Sequence, residues 1–212
     1  FAMGSCFAVE IREELARNGV DVYPKYKEIP IDHGQYIIGA LPQRDNINYY
    51  HTFSIKQEFE RYHGLWKQEK DDYWKIRYEY WLKGQEVYQD PYRRLVMGRS
   101  PDALFKAIDL LTECTRQGME KADIFLITLG LIEVWKKKDN GLYACEFPGY
   151  GAGGGHDKTE FHLSTFQENY DNLKSVVELI RKINKDAKIV FTVSPVALGK
   201  TFTGNDVVIA NT

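Results

Sequence analysis

The feature that most constrains the fold is the run Ile124–Leu129, which contains no charged residue and ends at Gly130. A short run without polar alternation is typical of a strand that is buried on both faces, as in a parallel sheet. A second strand is predicted at Lys188–Val193, after a helical segment. Strand, helix and strand in this order predict a three-layer α/β domain, in which crossover helices cover both faces of a parallel sheet.

Apolar residues recur at helical spacing in four segments, and each predicts an amphipathic helix. Ser100 and Pro101 form a cap and first-turn pair before the third helix, and Ser164 with Gln167 predicts a capping box before the fourth. The four apolar stripes are Phe7, Ile11 and Leu15; Ile55, Phe59 and Tyr62; Leu104, Ile108 and Leu111; and Phe166, Tyr170, Leu173, Val177 and Ile180.

Length and charge limit the partners of the chain. Its 212 residues suit a single domain over residues 1–212, and a net charge of -2 provides no general basic surface for nucleic acid or an anionic membrane. No apolar run reaches the roughly 18 residues of a membrane helix, so no membrane span is predicted. The chain starts at Phe1 and ends at Thr212 just after the apolar run 207–210, which we interpret as a domain that is incomplete at its C-terminus.

The cysteines are three in number and widely spaced, at Cys6, Cys114 and Cys145. This pattern predicts neither a disulfide framework nor a zinc site, and it favours a reducing compartment, so a cytoplasmic location is expected. The histidines show no ligand spacing with cysteine. We therefore predict no metal and no cofactor.

Residues 62–99 are crowded with aromatic and charged side chains, among them Trp66, Trp74 and Trp81. The segment has no clear period throughout, and we predict a helical insertion or cap on the α/β domain. Two interpretations of its aromatic residues are open: they belong to amphipathic helices that cover the core, or they form a surface for sugars or acyl chains.

Two motifs resemble nucleotide-binding loops but lack the surroundings that such loops need. Residues 149–154 satisfy G-x-G-x-x-G, yet Pro148 precedes them and the next predicted helix starts well beyond them, so a loop is predicted. Residues 194–201 end in Gly-Lys-Thr, but Ser194 and Pro195 stand where a phosphate-binding loop has glycine and free backbone N–H groups. Neither motif predicts a nucleotide site.

The triplet Gly4-Ser5-Cys6 lies where an extended segment gives way to the first predicted helix. A glycine followed by small polar residues at such a junction can present a nucleophile at the carboxyl edge of a parallel sheet. The helix dipole stabilises a thiolate there and the first N–H groups can hold an oxyanion, so Ser5 and Cys6 are both candidate nucleophiles. The alternative is a buried thiol beside a helix cap at Ser5, and the local pattern does not decide between them.

The motif Gly4-Ser5-Cys6-Phe7-Ala8 resembles the signature of the GSCFA family. Further blocks resemble that family in the same order, at residues 50–60, 128–135 and 192–196, and residues 210–212 resemble the start of another. The family is grouped with the SGNH, or GDSL-type, hydrolases. The resemblance implies a flavodoxin-like three-layer fold and the cleavage of esters, often acyl groups on sugars or lipids.

The resemblance also implies which residue attacks. Cys6, rather than Ser5, falls at the nucleophile position of the superfamily motif, next to Gly4. Such a hydrolase needs a histidine base, usually oriented by an aspartate. No Asp-x-x-His occurs in these residues, so we expect that pair beyond the last residue, with His156 and His162 as substitutes only if their loop folds over the motif.

The remaining candidates are carried over from the later blocks. Gly130 and Glu133 belong to the block whose asparagine helps to hold the oxyanion in the superfamily, but Ile132 stands at that place. His51 stands where the asparagine of the family is expected, and it is either a donor to the oxyanion or a surface histidine. Glu133 and Trp135 are expected either to line the same edge as Cys6 or to anchor a loop.

The sequence thus predicts a hydrolase whose substrate is a small-molecule, glycan or lipid ester. A non-catalytic descendant that binds glycans or acylated ligands through the aromatic segment is the alternative. A thiol that senses redox state is a third interpretation.

Overall fold

The structure is a computed structural model that describes residues 1–78, 83–148, 155–195 and 199–204. These residues form a mixed α/β fold with three sheets and four α-helices. The strands are β1 (Ala2–Gly4), β2 (Tyr36–Ile38), β3 (Trp74–Tyr78), β4 (Gln85–Gln89), β5 (Val96–Gly98), β6 (Ile124–Leu129), β7 (Glu133–Lys137), β8 (Tyr143–Ala144), β9 (Thr159–Leu163) and β10 (Lys188–Val193). The helices are α1 (Cys6–Arg17), α2 (Thr52–Tyr62), α3 (Pro101–Lys121) and α4 (Phe166–Ile183), with a 3-10 turn at Tyr26–Glu28.

The sheet that positions the candidate nucleophile is parallel, with the strand order β1-β6-β10. Helix α3 precedes β6 and α4 precedes β10, so each helix lies on the return path that a parallel pair of strands requires. The strands predicted at β6 and β10 and the four predicted helices are confirmed.

The core joins this sheet to the helices through aromatic and aliphatic side chains. Phe125 of β6 is fully buried between Phe1 and Phe59, with ring centroids 5.5 Å and 6.1 Å away. Burial of a phenylalanine side chain contributes about 2 to 3 kcal/mol. This packing holds α2, which carries Phe59, against the parallel sheet.

The prediction of a helical insertion at residues 62–99 is wrong for the described residues. Strands β3, β4 and β5 lie there and join β2 in an antiparallel sheet with the order β2-β5-β4-β3. In β3, the buried side chains of Trp74, Ile76 and Tyr78 alternate with two exposed basic ones. This is the period of two of a strand with one solvated face, which the density of aromatic residues obscured. Trp81 lies outside the described residues.

The cap of α4 lies one residue further along the chain than predicted. The capping box is formed by Thr165 and Glu168 and not by Ser164 and Gln167. The predicted capping oxygen, Ser164 Oγ, donates instead to the backbone oxygen of Ile132 at 2.7 Å. The predicted apolar stripe is exposed at its first two residues, Phe166 and Tyr170.

A third sheet leaves the parallel sheet just after Gly130. It is antiparallel and has the strand order β8-β7-β9, and β7 carries Glu133 and Trp135. The sheet β8-β7-β9 therefore begins at the carboxyl end of β6. Across the described ranges, no helix combines the length and apolar character needed to cross a membrane.

Candidate functional site

Cys6 lies where the parallel sheet meets its first helix. Strand β1 ends at Gly4, Ser5 is the N-cap of α1, and Cys6 is the first residue of that helix. Gly130 directly follows β6, and Ser194 directly follows β10. Because the three strands are parallel, these residues share the carboxyl edge of the sheet. The structure thus brings Gly4, Ser5, Cys6 and Gly130 together.

Two glycines allow the backbone segments at this edge to approach closely. Gly4 has a φ of +136°, and a Cβ there would lie 2.1 Å from Thr128 O. A Cβ on Gly130 would lie 2.9 Å from Tyr50 O and 3.3 Å from Ser5 Cβ. At Gly4 the contact excludes any side chain. At Gly130 a side chain would fit only if Tyr50 and Ser5 moved.

The side chain of Ser5 does not cap α1. Its Oγ lies 3.1 Å from Thr128 Oγ1, and its backbone N donates to that same oxygen at 2.8 Å. Ser5 is only 2% exposed, whereas Cys6 is half-buried. Ser5 therefore ties the end of β1 to β6, and it leaves the first N–H groups of α1 without a side-chain acceptor from the N-cap residue.

The segment around Tyr50 runs alongside this junction. Tyr49 N donates to Gly4 O at 2.7 Å, and Leu131 N donates to Tyr50 O at 2.6 Å. The main chain of this segment is therefore bound to the ends of both β1 and β6.

The Tyr50 hydroxyl has polar surroundings. Asn48 Nδ2 donates to it at 3.1 Å. Burial raises the pKa of Tyr50 to about 12; the positive charge of Arg94 opposes this rise, and Glu146 and the Cys6 thiol add to it. The phenol therefore lies within electrostatic reach of an arginine, a carboxyl group and the candidate nucleophile.

Glu146 and Arg94 form a buried ion pair. Arg94 Nε donates to Glu146 Oε2 at 3.1 Å, and the carboxyl side chain is 9% exposed. Burial raises the pKa of Glu146 from 4.5 to about 7, because Arg94 offsets the loss of solvent only in part. Glu146 Oε1 has no hydrogen-bond partner among the described residues. Carboxyl groups with such a raised pKa occur both at functional sites and in structural ion pairs.

Sequence reasoning missed Tyr50, Arg94 and Glu146 as members of the site. The one available signal was an acidic residue between apolar neighbours in residues 144–148. That signal does not reveal which distant groups surround the carboxyl group.

His51 is held by the protein on both sides of its ring. Its Nδ1 accepts from Ser54 N at 3.1 Å, so His51 caps α2, and its Nε2 donates to Ala144 O at 2.8 Å. Burial lowers its pKa to about 4. The neutral ring has no donor left for a substrate oxygen, which argues against the predicted role in oxyanion binding and against the surface alternative.

Glu133 and Trp135 bind a segment further along the chain. The Glu133 carboxylate accepts from Phe202 N at 3.1 Å and also from the Thr201 hydroxyl. Trp135 belongs to a group of aromatic rings whose centroids lie 5.0 to 5.9 Å from its own, which we term the Trp135 cluster. Its members are Trp135, Phe147, Phe161 and Phe202. The geometry favours the loop-anchor interpretation of both residues.

The other two thiols have surroundings that keep them protonated. Burial raises the pKa of Cys114 to about 11 and raises that of the fully buried Cys145 well above its usual range. Because the thiolate is the attacking species, neither suits nucleophilic catalysis at neutral pH. Cys6 is the cysteine that the site favours.

The histidines named as substitute bases lie apart from Cys6 in the hydrogen-bond network. His162 Nε2 lies 2.9 Å from Glu168 Oε1, and His156 is exposed beside Phe147. Neither ring bonds to Cys6 in the part of the chain that is described. Over the same ranges, no three His, Cys, Asp or Glu side chains converge as metal ligands do.

Of the two motifs rejected as nucleotide sites, the first lies wholly and the second partly outside the described residues. Residues 149–154 lie outside the described residues, as do residues 196–198 of the second motif. In the described part of that motif, Ser194 N donates to Leu129 O at 2.7 Å, so this N–H already has an acceptor.

Comparison with known proteins supports the resemblance seen in the opening motif. The chain matches the GSCFA family over residues 1–212. No curated protein and no solved structure matches it significantly. The family match extends over the strand-helix junction at Cys6, the block around β6 and the end of β10 alike. The chain therefore belongs to the GSCFA family.

Proposed function

We propose that this chain is an SGNH-like hydrolase that cleaves an ester or acyl group from a small molecule, glycan or lipid, with Cys6 as the nucleophile. The fold that accompanies this proposal is the three-layer flavodoxin-like arrangement, with the sheet β1-β6-β10 at its centre. Membership of the GSCFA family and the position of Cys6 support the proposal.

The observation that carries the proposal is the position of Cys6 as the first residue of α1, at the carboxyl edge of a parallel sheet. The positive end of the helix dipole favours negative charge at this place, and the N–H groups of the first turn can bind an oxyanion. Ser5 is less suited to attack because its hydroxyl is buried against Thr128.

In the proposed reaction, Cys6 attacks as a thiolate whose proton has passed to solvent. Its Sγ bonds to the acyl carbon, and the π electrons of the carbonyl group move onto the carbonyl oxygen. When this oxyanion collapses, the bond from the acyl carbon to the leaving oxygen breaks, and the leaving alcohol takes a proton from water. Water then hydrolyses the thioester on Cys6, which releases the carboxylic acid and restores the thiol.

The test compares Cys6→Ala, Ser5→Ala and Cys114→Ala in the full-length protein with short-chain acyl esters as substrates. Cys6→Ala is expected to lose turnover and to lose the acyl adduct that mass spectrometry detects on the Cys6 peptide of the wild type. Ser5→Ala should keep turnover but lose about 1 kcal/mol of stability with its bond to Thr128. Cys114→Ala is the thiol control and should behave as wild type. Unchanged turnover in Cys6→Ala would refute the proposal.

A non-catalytic role in binding glycans or acylated ligands is the second candidate. The exposed side chain of Ile132 offers no hydrogen bond, while Phe161 and Phe202 of the Trp135 cluster are 41% and 51% exposed and provide faces for a sugar ring or acyl chain. Under this candidate, wild type and Cys6→Ala bind acylated sugars equally and neither turns over an ester. Calorimetry with acylated and unacylated oligosaccharides distinguishes this result from hydrolysis.

A further inference from the structure

We infer that the Tyr50 hydroxyl donates a hydrogen bond to the oxyanion that forms when Cys6 attacks, in place of the asparagine missing at Ile132. The inference rests on the proposed hydrolase function. Ile132 has no polar side chain, so this position cannot supply the side-chain N–H that an asparagine would donate. A second donor for the oxyanion must therefore come from another element.

The main chain holds Tyr50 beside the nucleophile. Its backbone oxygen accepts from Leu131 N at 2.6 Å, and a Cβ on Gly130 would lie 2.9 Å from this oxygen and 3.3 Å from Ser5 Cβ. Tyr50, the residue after β6 and the residue before Cys6 are thus close neighbours. The main chain of Tyr50 is therefore anchored at the carboxyl edge where the acyl carbon must lie.

The hydrogen bond from Asn48 leaves the proton of the phenol available. An amide nitrogen is only a donor, so the Tyr50 oxygen accepts from Asn48 Nδ2 at 3.1 Å. In the described parts of the chain, the hydroxyl has no acceptor for its own hydrogen. Asn48 therefore orients a hydroxyl whose donor function is unused.

The phenol keeps its proton under the conditions of the reaction. Burial raises the pKa of Tyr50 to about 12, so at neutral pH it donates a hydrogen bond and cannot act as a base. Two buried acceptors near it, Asn48 Oδ1 and Glu146 Oε1, have no partner among the described residues. These oxygens require donors, so a water molecule or a hydroxyl group of the substrate, and not the oxyanion itself, would satisfy them.

The role of Tyr50 in the chemical step is limited to the hydrogen bond. As the bond from Cys6 Sγ to the acyl carbon forms, negative charge develops on the carbonyl oxygen, and the Tyr50 hydroxyl donates to it. The proton stays on Tyr50 through formation and collapse of the intermediate. No further reactant is required.

The test replaces Tyr50 by phenylalanine, which keeps the ring and removes the hydroxyl. The matched control is Tyr62→Phe, because Tyr62 is a partly buried phenol at the far end of α2 that bonds to Glu120 at 3.5 Å. Loss of one oxyanion donor is expected to lower kcat about 100-fold to 1000-fold, with KM within about threefold of wild type. Tyr62→Phe should match wild type. A short-chain trifluoromethyl ketone, whose adduct with Cys6 carries an oxyanion, should bind Tyr50→Phe more weakly by a similar factor.

The outcomes separate this inference from the function on which it rests. If Cys6→Ala abolishes turnover and Tyr50→Phe keeps kcat within about threefold, the inference fails and the hydrolase stands. If wild type shows no turnover that depends on Cys6, both fail. A fall in kcat that comes with a lower melting temperature, or with slower alkylation of Cys6 by iodoacetamide, would assign Tyr50 a structural role and overturn the inference.

Discussion

Replacing Glu146 by glutamine tests whether the buried carboxyl group near Tyr50 titrates close to neutrality. Burial raises its pKa from 4.5 to about 7, although Arg94 Nε donates to it at 3.1 Å. With a folded-state pKa above the unfolded one, the folded state binds the proton more tightly. The protonated Glu146 carboxyl group therefore contributes its full stabilisation below pH 4.5, and this contribution is lost as the pH rises through about 7. A shift of this size corresponds to about 3 kcal/mol.

The assay is urea unfolding of wild type and Glu146→Gln over a series of pH values. From about pH 5 to about pH 8, ionisation of Glu146 should lower the free energy of unfolding of wild type by about 2 to 3 kcal/mol. Glutamine keeps an oxygen for Arg94 but does not titrate, so the variant lacks this change. The difference between the two proteins at each pH isolates the effect, because the other groups titrate in both.

The attraction between Arg94 and the ionised carboxylate is already included in the pKa of about 7, so it adds nothing further to the pH dependence of the difference. If that difference varies by less than about 0.5 kcal/mol between about pH 5 and about pH 8, Glu146 ionises with an ordinary pKa. The reasoning from burial would then be refuted.

Two further substitutions test the backbone and the helix cap. Gly4→Ala places a Cβ 2.1 Å from Thr128 O at a φ of +136°, so urea unfolding should show a loss of about 3 kcal/mol or more, or no folded protein. Gly199→Ala, whose Cβ meets nothing within 4 Å, should change stability by about 0.5 kcal/mol or less; similar losses in both variants would contradict the steric argument. In wild type, the burial that lowers the pKa of His51 from 6.5 to about 4 should cost about 3 kcal/mol of stability as the pH falls through that interval. His51→Asn keeps an acceptor for Ser54 N and should lose this acid sensitivity; an unchanged pH dependence would show that His51 is not responsible.

The elements that could be predicted are those whose signals are local. The apolar run at β6 and the helical stripes of α1, α2 and α3 depend on residues within a few turns, and each element forms where predicted. The cap of α4 shows the limit of such signals. Ser164-Gln167 and Thr165-Glu168 both have capping-box spacing, and the contact of Ser164 Oγ with Ile132 O, which is distant in sequence, leaves the cap to Thr165.

The residues of the candidate site likewise include some with a local sequence signal and some without one. The place of Cys6 follows from a strand, a glycine and a helix start that are consecutive in sequence. Tyr50, Arg94 and Glu146 come from three separate segments, and only the packing of the sheets brings their charges within reach of one another. No spacing rule links such residues, so they could not be predicted from one sequence.

The geometry of the site and its electrostatics depend on different atoms. Cys6 and Tyr50 are positioned by main-chain contacts, namely the crowded approach at Gly4 and Gly130 and the bond from Leu131 N to Tyr50 O. Substitutions at the two glycines therefore move the reacting groups themselves.

Side chains, in contrast, determine the hydrogen bonding and the electrostatic field around the Tyr50 hydroxyl. Asn48 orients the phenol, and Glu146 with Arg94 sets the field that it experiences. Changes at these residues should alter pH profiles and rates while the fold persists. The main-chain contacts and these side chains are distinct sets of atoms. If a substitution at Tyr50 or Glu146 lowers activity but not stability, the residue acts in the chemical step. A loss of activity in Gly4→Ala instead reports on the strand-helix junction that positions Cys6.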